Sequence, residues 1–438
     1  MRRPLPWLLS LLLLLTPLLV SADAPGQWGR VVPIADNAHP NLFWNQSEIN
    51  QLRQMVLVDH SPAYLYNAYR DKMQGLLADP SYDTLHNRGF FVGITYMLEP
   101  TQAKANAIRS ALLTYQSQNP SGIPHWYSAA CFCGWPLALW FDLIQAYHPN
   151  TLSTSEKNSL KAYFKLSADA QKVDSNNPQL VTGSGNEDPG PPITREGKSV
   201  QEIPNWYTRE MGMAGAFVLL GGTQADVDFW FDSGWPHTLF TFDGVTPTFP
   251  PDTQNRYDMI TSILAMYPSG ADVESYTREG LNMNDNPPTW HTQQFYSHGA
   301  YHLAQQTGAY MGALMAWHNG MTQVWTIVNE GNTVPNLLRN MKRALASRNE
   351  RDTADWSCCN GLAPGFTMLV GYEPMLMLGQ RFYPSDSTIQ QGMPGVINAT
   401  TEVINWEFPR EAGLFLGNPT ASMVQALPSP TNLRITTP

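Results

Sequence analysis

From residue 47 to about 380 the apolar residues return at helical spacing in one segment after another, and sustained strand-type alternation is rare. Helical patterning covers 47–55, 62–78, 102–115, 137–147, 206–220, 224–232, 254–267, 271–283, 299–317, 334–346 and 365–380, and another helix opens at Leu152–Lys157. Ser47 reads as an N-cap ahead of apolar positions 49, 52 and 55–56. Ser153 with Glu156 three residues later has the capping-box pattern. The helices show no strict repeat, which argues against a standard solenoid. So many amphipathic helices must close on a shared core. A ring of helical hairpins does this and leaves a cleft where inner-helix ends meet. The expected fold is therefore all-α, an (α/α) toroid with a short irregular or β-prone C-terminal tail.

The ends of the chain differ from this body. Arg2-Arg3, an apolar run from Leu8 to Val20 and small residues around Ala22-Asp23-Ala24 read as a secretory signal peptide over 1–24. No later stretch is apolar and long enough to span a bilayer. The mature protein is thus expected to be soluble, free of the membrane after signal cleavage, and secreted or periplasmic. The helical domain is placed at 25–385 and an irregular segment at 386–427. Residues 428–438, from Pro428 to Pro438, read as a Pro-rich linker that resembles the opening of a fibronectin type III module; a loose tail fits equally well.

Charge narrows the partner. The net charge of −10 argues against nucleic acid, which needs a basic surface. It leaves an anionic polymer open, because a cleft can be locally basic. Only 14% of residues are charged, while 14 Trp, 18 Tyr and 17 Phe suit either a sugar-binding surface or a large aromatic core. The four cysteines fall in two pairs, Cys131/Cys133 and Cys358/Cys359, and a bridge between the pairs would tie distant parts of the chain. Neither spacing is usual for zinc, so no metal is expected, and no cofactor motif is present. The sequence leaves the oligomeric state open.

Two stretches carry the chemistry. Pro204-Asn205-Trp206-Tyr207 heads one apolar helix, after a breaker-rich loop over 172–203. Tyr296-Ser297-His298-Gly299-Ala300-Tyr301 heads another. Loops of that length inside a domain are often functional. Breaking a uronic-acid polymer by elimination requires loss of the proton beside a carboxylate. An amide or cation must first spread that carboxylate's charge. A base then takes the proton and an acid protonates the leaving oxygen. Asn, His and Tyr in one cleft suffice. Each also has a plainer role: Asn205 as a helix cap, His298 as a satisfied imidazole, and Tyr301 as the first core residue of its helix.

The same residues carry a resemblance. Asn205-Trp206, opening a helix that ends at Leu220-Gly221-Gly222, is similar to the Asn-Trp motif of alginate-lyase-type polysaccharide lyases. Phe242-Asp243-Gly244-Val245-Thr246-Pro247 resembles their Asp-Gly…Pro segment. Ser297-His298-Gly299-Ala300-Tyr301-His302-Leu303-Ala304 is similar to a Gly-His-Thr-x-Tyr-Gly-Leu-Ala stretch. His39-Pro40-Asn41-Leu42 and Trp140-Phe141-Asp142-Leu143-Ile144 also fit. The resemblance spans roughly residues 37–383 as scattered short matches.

It implies that Asn205 neutralises the substrate carboxylate, that Tyr301 is base and acid, and that His298 assists. His291, ten residues before Tyr301, is a second candidate by analogy with chondroitin and hyaluronan lyases. The sequence departs from the pattern at Gln201, Glu202 and Ile203, where many relatives hold an Asn-His pair. It departs again at Gln294, where some hold Arg. Basic help is then sought from Arg195, Lys198, Arg209, Arg256 or the run Arg339, Lys342, Arg343, Arg348 and Arg351. A solvated helix face is the plainer reading of that run. Trp126, Tyr127, Trp206, Tyr207 and Trp290 are candidate sugar contacts, with Trp135 beside them.

The implied function is β-elimination of an anionic, alginate- or glucuronan-like polysaccharide. One alternative is a glycoside hydrolase, which needs two carboxylates about 5–9.5 Å apart. Asp142, Glu202, Glu210, Asp243 and Glu279 are available for it. The other is a non-catalytic carbohydrate-binding relative.

Overall fold

The computed structural model describes residues 26–123, 127–175, 193–195, 198–200, 204–233, 241–242, 247–248, 258–264, 307–328, 332–351, 376–397 and 410–417. The signal segment, the 428–438 tail, the expected helix at 271–283 and the pair Cys358/Cys359 lie outside these residues. Among the described residues the chain is all-α apart from two short antiparallel pairs. β1 (Ile193–Arg195) pairs with β2 (Lys198–Val200), and β3 (Thr241–Phe242) with β4 (Pro247–Thr248).

The helices are α1 (Gln46–Arg53), α2 (Ala63–Ala68), α3 (Tyr82–Leu98), α4 (Gln102–Gln118), α5 (Tyr127–Tyr147), α6 (Thr154–Ser175) and α7 (Pro204–Gly221). They continue with α8 (Gln224–Phe231), α9 (Met259–Leu264), α10 (307–318), α11 (Asn336–Arg351), α12 (Met377–Phe382), α13 (Ser387–Ile397) and α14 (Arg410–Gly413). No helix among the described residues is long and apolar enough to cross a membrane.

Several expectations are corrected. Asn45, not Ser47, caps α1: its side chain accepts from the Glu48 amide, and the Glu48 carboxylate accepts from the Asn45 amide. The capping box at Ser153 and Glu156 holds. α5 begins ten residues before the expected helix at 137, carrying Pro136 within it. α3 was not expected at all. Phe90, Phe91, Val92, Ile94, Tyr96, Met97 and Leu98 are all buried, so the C-terminal half of this helix is apolar on every side and shows no stripe. Nor are residues 386–427 irregular where described. α13 forms despite Gly392 and Pro394, because Ile389, Met393 and Val396 are buried and Gly392 lies close against Leu345 of α11. Tertiary burial here outweighs the helix-breaking signals.

The long helices run in two senses. Gly212 of α7 lies against Trp135 of α5 and Gly308 of α10; a Cβ there would meet them at 2.9 and 3.1 Å. Toward the other ends, Ile34 and Val32 of one extended segment donate to Leu219 of α7 and to Asn319 just after α10, at 2.8 and 2.9 Å. Asn41 bridges Asn319 and Asp142 of α5. With two matched levels along each, α5, α7 and α10 are parallel. α3 joins them, since Trp140 bonds Gly89 and Tyr96 packs on Tyr147. α4 returns against α5: Gln102 bonds Thr151 beyond the end of α5, while Tyr115 meets Cys133 near its start. α6 returns against α7, with Phe164 stacked on Phe217 at 4.8 Å and Lys161 beside Gly221. The chain therefore climbs through α3, α5 and α7 and descends through α4 and α6, as successive helical hairpins.

The core is aromatic. Trp44, Trp135, Trp140, Trp230 and Trp325 are fully buried. Each contributes about 2–3 kcal/mol of apolar transfer. Many of the aromatic residues that suited a sugar surface thus lie inside, and Trp135 is a core residue, not a sugar contact. Gly320 (φ +117) turns the chain after α10, and a Cβ on it would sit 2.5 Å from the Arg30 carbonyl. This keeps the N-terminal segment pressed on the C-terminal ends of α7 and α10.

Candidate functional site

The parallel packing brings the N-terminal ends of α3, α5 and α7 to one end of the molecule, and α10, described from residue 307, runs in the same sense. A helix head carries a partial positive charge of about half a unit, and at the head of α3 the Ser81 hydroxyl already accepts from the Thr84 amide. Pro204 is the first residue of α7, where a fixed φ suits helix entry. Asn205, Trp206, Tyr207 and Arg209 occupy the first turns of α7, and Tyr127 begins α5. Their backbones share this end; their side chains lie outside what is described.

Trp126, Arg256, Trp290, His291, His298 and Tyr301 are outside the described residues. α10 is described from residue 307, six residues after Tyr301. Ahead of α7, the β1–β2 register sets Arg195 opposite Lys198. In the basic run, Arg339 and Arg343 are half-buried rather than solvated, and Lys342 pairs with Asp386 at 3.1 Å. Arg339 donates to Asn336 Oδ1 at 2.5 Å.

The opposite end holds a buried polar network. His39 Nδ1 donates to Asp142 Oδ1 at 2.5 Å, and both side chains are 1% exposed. Asp142 also accepts from the Asn41 amide at 3.1 Å and the Leu42 amide at 3.0 Å. The two motifs read separately in the sequence, His39-Pro40-Asn41-Leu42 and the one around Asp142, are therefore two halves of one contact. It pins the N-terminal segment to the C-terminal half of α5. Asp142 is consumed by it and is no hydrolase carboxylate. Replacing Asp142 with alanine leaves three donors buried without their acceptor. The expected cost is about 3 kcal/mol in urea unfolding.

Beside this contact, Glu48 lies between His318 and Arg381. Glu48 Oε2 is 3.0 Å from His318 Nε2, and its other oxygen accepts from Arg381. His318 Nδ1 faces the Leu42 carbonyl at 3.3 Å. The Arg381 guanidinium lies 5.3 Å from the Trp317 ring centroid. Burial opposes the Glu48 charge, but Arg381 and then His318 outweigh it and hold its carboxyl at about 2.

Cys133 is a free thiol, fully buried, so the bridge between cysteine pairs does not form through it. Burial pushes the thiol up to about 12, against a hydrogen bond with Tyr115. Cys133 should resist iodoacetamide in the native state and react only on unfolding, as mass spectrometry of the alkylated peptide would record. No group of His, Cys, Asp and Glu among the described residues could hold a metal ion.

No family model matches this chain, and no curated protein shows significant similarity to it.

Proposed function

We propose that the protein is an exported lyase that cleaves a uronate-containing polysaccharide by β-elimination, on helical hairpins that close into an (α/α) toroid. One observation supports this above the rest: α5, α7 and α10 run parallel. The stretch with Asn205 opens one of these helices, and the stretch with His298 and Tyr301 leads into another. Elimination needs a carboxylate neutraliser and a proton carrier from separate elements in one place, and parallel helices supply that from distant sequence. Asn205 polarises the uronate carboxylate, and the dipole of the helix it opens adds to its effect on the enolate-like intermediate. Tyr301 takes the proton beside the carboxylate and returns one to the leaving glycosidic oxygen, with His298 or His291 assisting. Trp206, Tyr207, Trp126, Tyr127 and Trp290 hold sugar rings, and Arg209 and Arg256 attract the anionic chain. Arg2-Arg3 and the apolar run behind them support export to the periplasm or beyond.

The test is direct. The mature protein is mixed with alginate, glucuronan, hyaluronan, chondroitin and pectate, and ultraviolet absorbance is followed. A rise on one polymer marks the conjugated double bond of elimination and names the substrate. New reducing ends without absorbance would establish hydrolysis instead. Binding with neither signal would establish a non-catalytic carbohydrate binder.

A further inference from the structure

Residues 26–42 run across the C-terminal ends of α7 and α10, and the ties that hold them there reach far along the sequence. The Gly26 amide donates to Asp232 Oδ2 at 2.7 Å. Arg30 donates to both oxygens of Asp228 in α8, at 3.1 and 2.6 Å. Gln224 donates to the Val31 carbonyl at 2.7 Å. Val32 and Ile34 donate to the Asn319 and Leu219 carbonyls. Lys161 of α6 pairs with Asp36, and His39, Asn41 and Leu42 converge on Asp142 of α5. The side-chain ties join residues 100 to 278 positions apart. Between them Trp28, Val31, Ile34 and Leu42 are buried, while Arg30 and Val32 face out.

Such a segment has nothing to dock on until the helices that carry its partners have packed. Its amides fill carbonyls that the helix ends leave open. The helices themselves are closed by bonds within each turn and by hairpin contacts such as Phe164 on Phe217. Contacts across so much chain repay their loop closure late. A single extended layer with few buried side chains also opens at lower free energy than the core beneath it. We propose that residues 26–42 are a strap that closes last on the finished helical body and opens first, as one unit. The body keeps its helices while the strap is off. A chain exported N-terminus first carries the strap ahead of Asp142, Leu219 and Asn319, so the fold stays unlocked until α10 has followed. That use rests on the export reading above; the order of docking does not.

The test is native-state hydrogen exchange on the mature protein in low urea, read by mass spectrometry. Three peptides matter: one with Val32 and Ile34, one with Asn41 and Leu42, and one around Phe217 in α7. The first two should exchange through one common opening, at least about tenfold faster than the third. Ile34→Val removes one buried methyl group and should speed both strap peptides by the same factor, about threefold to tenfold. Ile108→Val makes the same change in α4, where Ile108 is fully buried and none of the ties above reaches. It should speed the α7 peptide and leave both strap peptides at the parental rate, because the body is intact when the strap opens. Strap peptides that exchange only as fast as the α7 peptide overturn the proposal. So does Ile108→Val acting equally on all three. Unequal factors for the two strap peptides in Ile34→Val overturn the single unit. The readings come from folded protein without substrate, so they stand apart from the lyase reading. Export is tested separately, by N-terminal sequencing of protein recovered outside the cytoplasm.

Discussion

Glu48→Ala should cost about 3–5 kcal/mol of folding stability, among the largest losses for a single substitution in this chain. The reason lies in what remains. Arg381 is only 7% exposed, and a guanidinium keeps its proton under ordinary conditions. Without Glu48 its charge is left buried with no carboxylate to meet it. The same substitution removes the Glu48 half of the α1 capping box and a contact to His318. Urea unfolding of Glu48→Ala, Arg381→Met and the double variant would separate these effects. Glu48→Ala alone should be the worst. Arg381→Met in that background should recover part of the loss, because it removes the stranded charge. If the double variant is no better than Glu48→Ala, the buried charge is not the main cost.

The pH dependence follows from the same carboxylate. Its folded-state value of about 2 lies below its ordinary value of 4.5. A depressed carboxylate contributes stability that is complete above 4.5 and is lost as pH falls from there toward 2. A shift of that size corresponds to about 3 kcal/mol at neutral pH. Glu48→Gln should therefore show a flatter stability profile between pH 4.5 and 2 than the parent, and the two should differ by a constant amount above it. Unfolding midpoints across that window would test the sign.

The sequence legibly gave helices with stripes and caps, and hid those without. Ser153 with Glu156 announced α6 because a cap needs only local residues. α3 stayed hidden because burial on all sides of its C-terminal half erases periodicity, and α13 because Gly392 and Pro394 speak against a helix that packing on α11 imposes. His39 and Asp142 were both singled out, yet nothing in either stretch says that one is the other's partner; a contact across about a hundred residues has no local signature. Trp135 illustrates the reverse failure. A tryptophan beside glycine and proline looks like a loop residue, but Gly134 and Pro136 lie inside α5 and let neighbouring helices close on it. For the candidate site, the sequence named side chains and the fold supplied their common direction. Asn205 and Tyr127 were picked on chemistry and resemblance; that α5, α7 and α10 run parallel depends on contacts no motif encodes.

Tyr301→Phe should reduce the rate of elimination by about 10²–10⁴-fold while leaving polymer binding within a few-fold, because it deletes one hydroxyl and keeps the ring. In the proposed reaction that hydroxyl carries the proton in both directions, so no second group replaces it without moving. Asn205→Ala removes the donor that spreads the carboxylate charge, and the expected loss is about 10²–10³-fold. The two losses differ in kind. Loss of the amide raises the barrier to forming the enolate-like intermediate, and a substrate whose carboxylate is esterified has less charge to spread and should suffer less from it. Loss of the phenol is insensitive to esterification. Initial rates on native and methyl-esterified polymer, for the parent and both variants, therefore read the division of labour. A Tyr301→Phe variant at parental rate would remove Tyr301 from the reaction and turn attention to His298 and His291 as the proton carriers. Equal sensitivity of both variants to esterification would mean that Asn205 and Tyr301 do not hold the separate roles assigned to them.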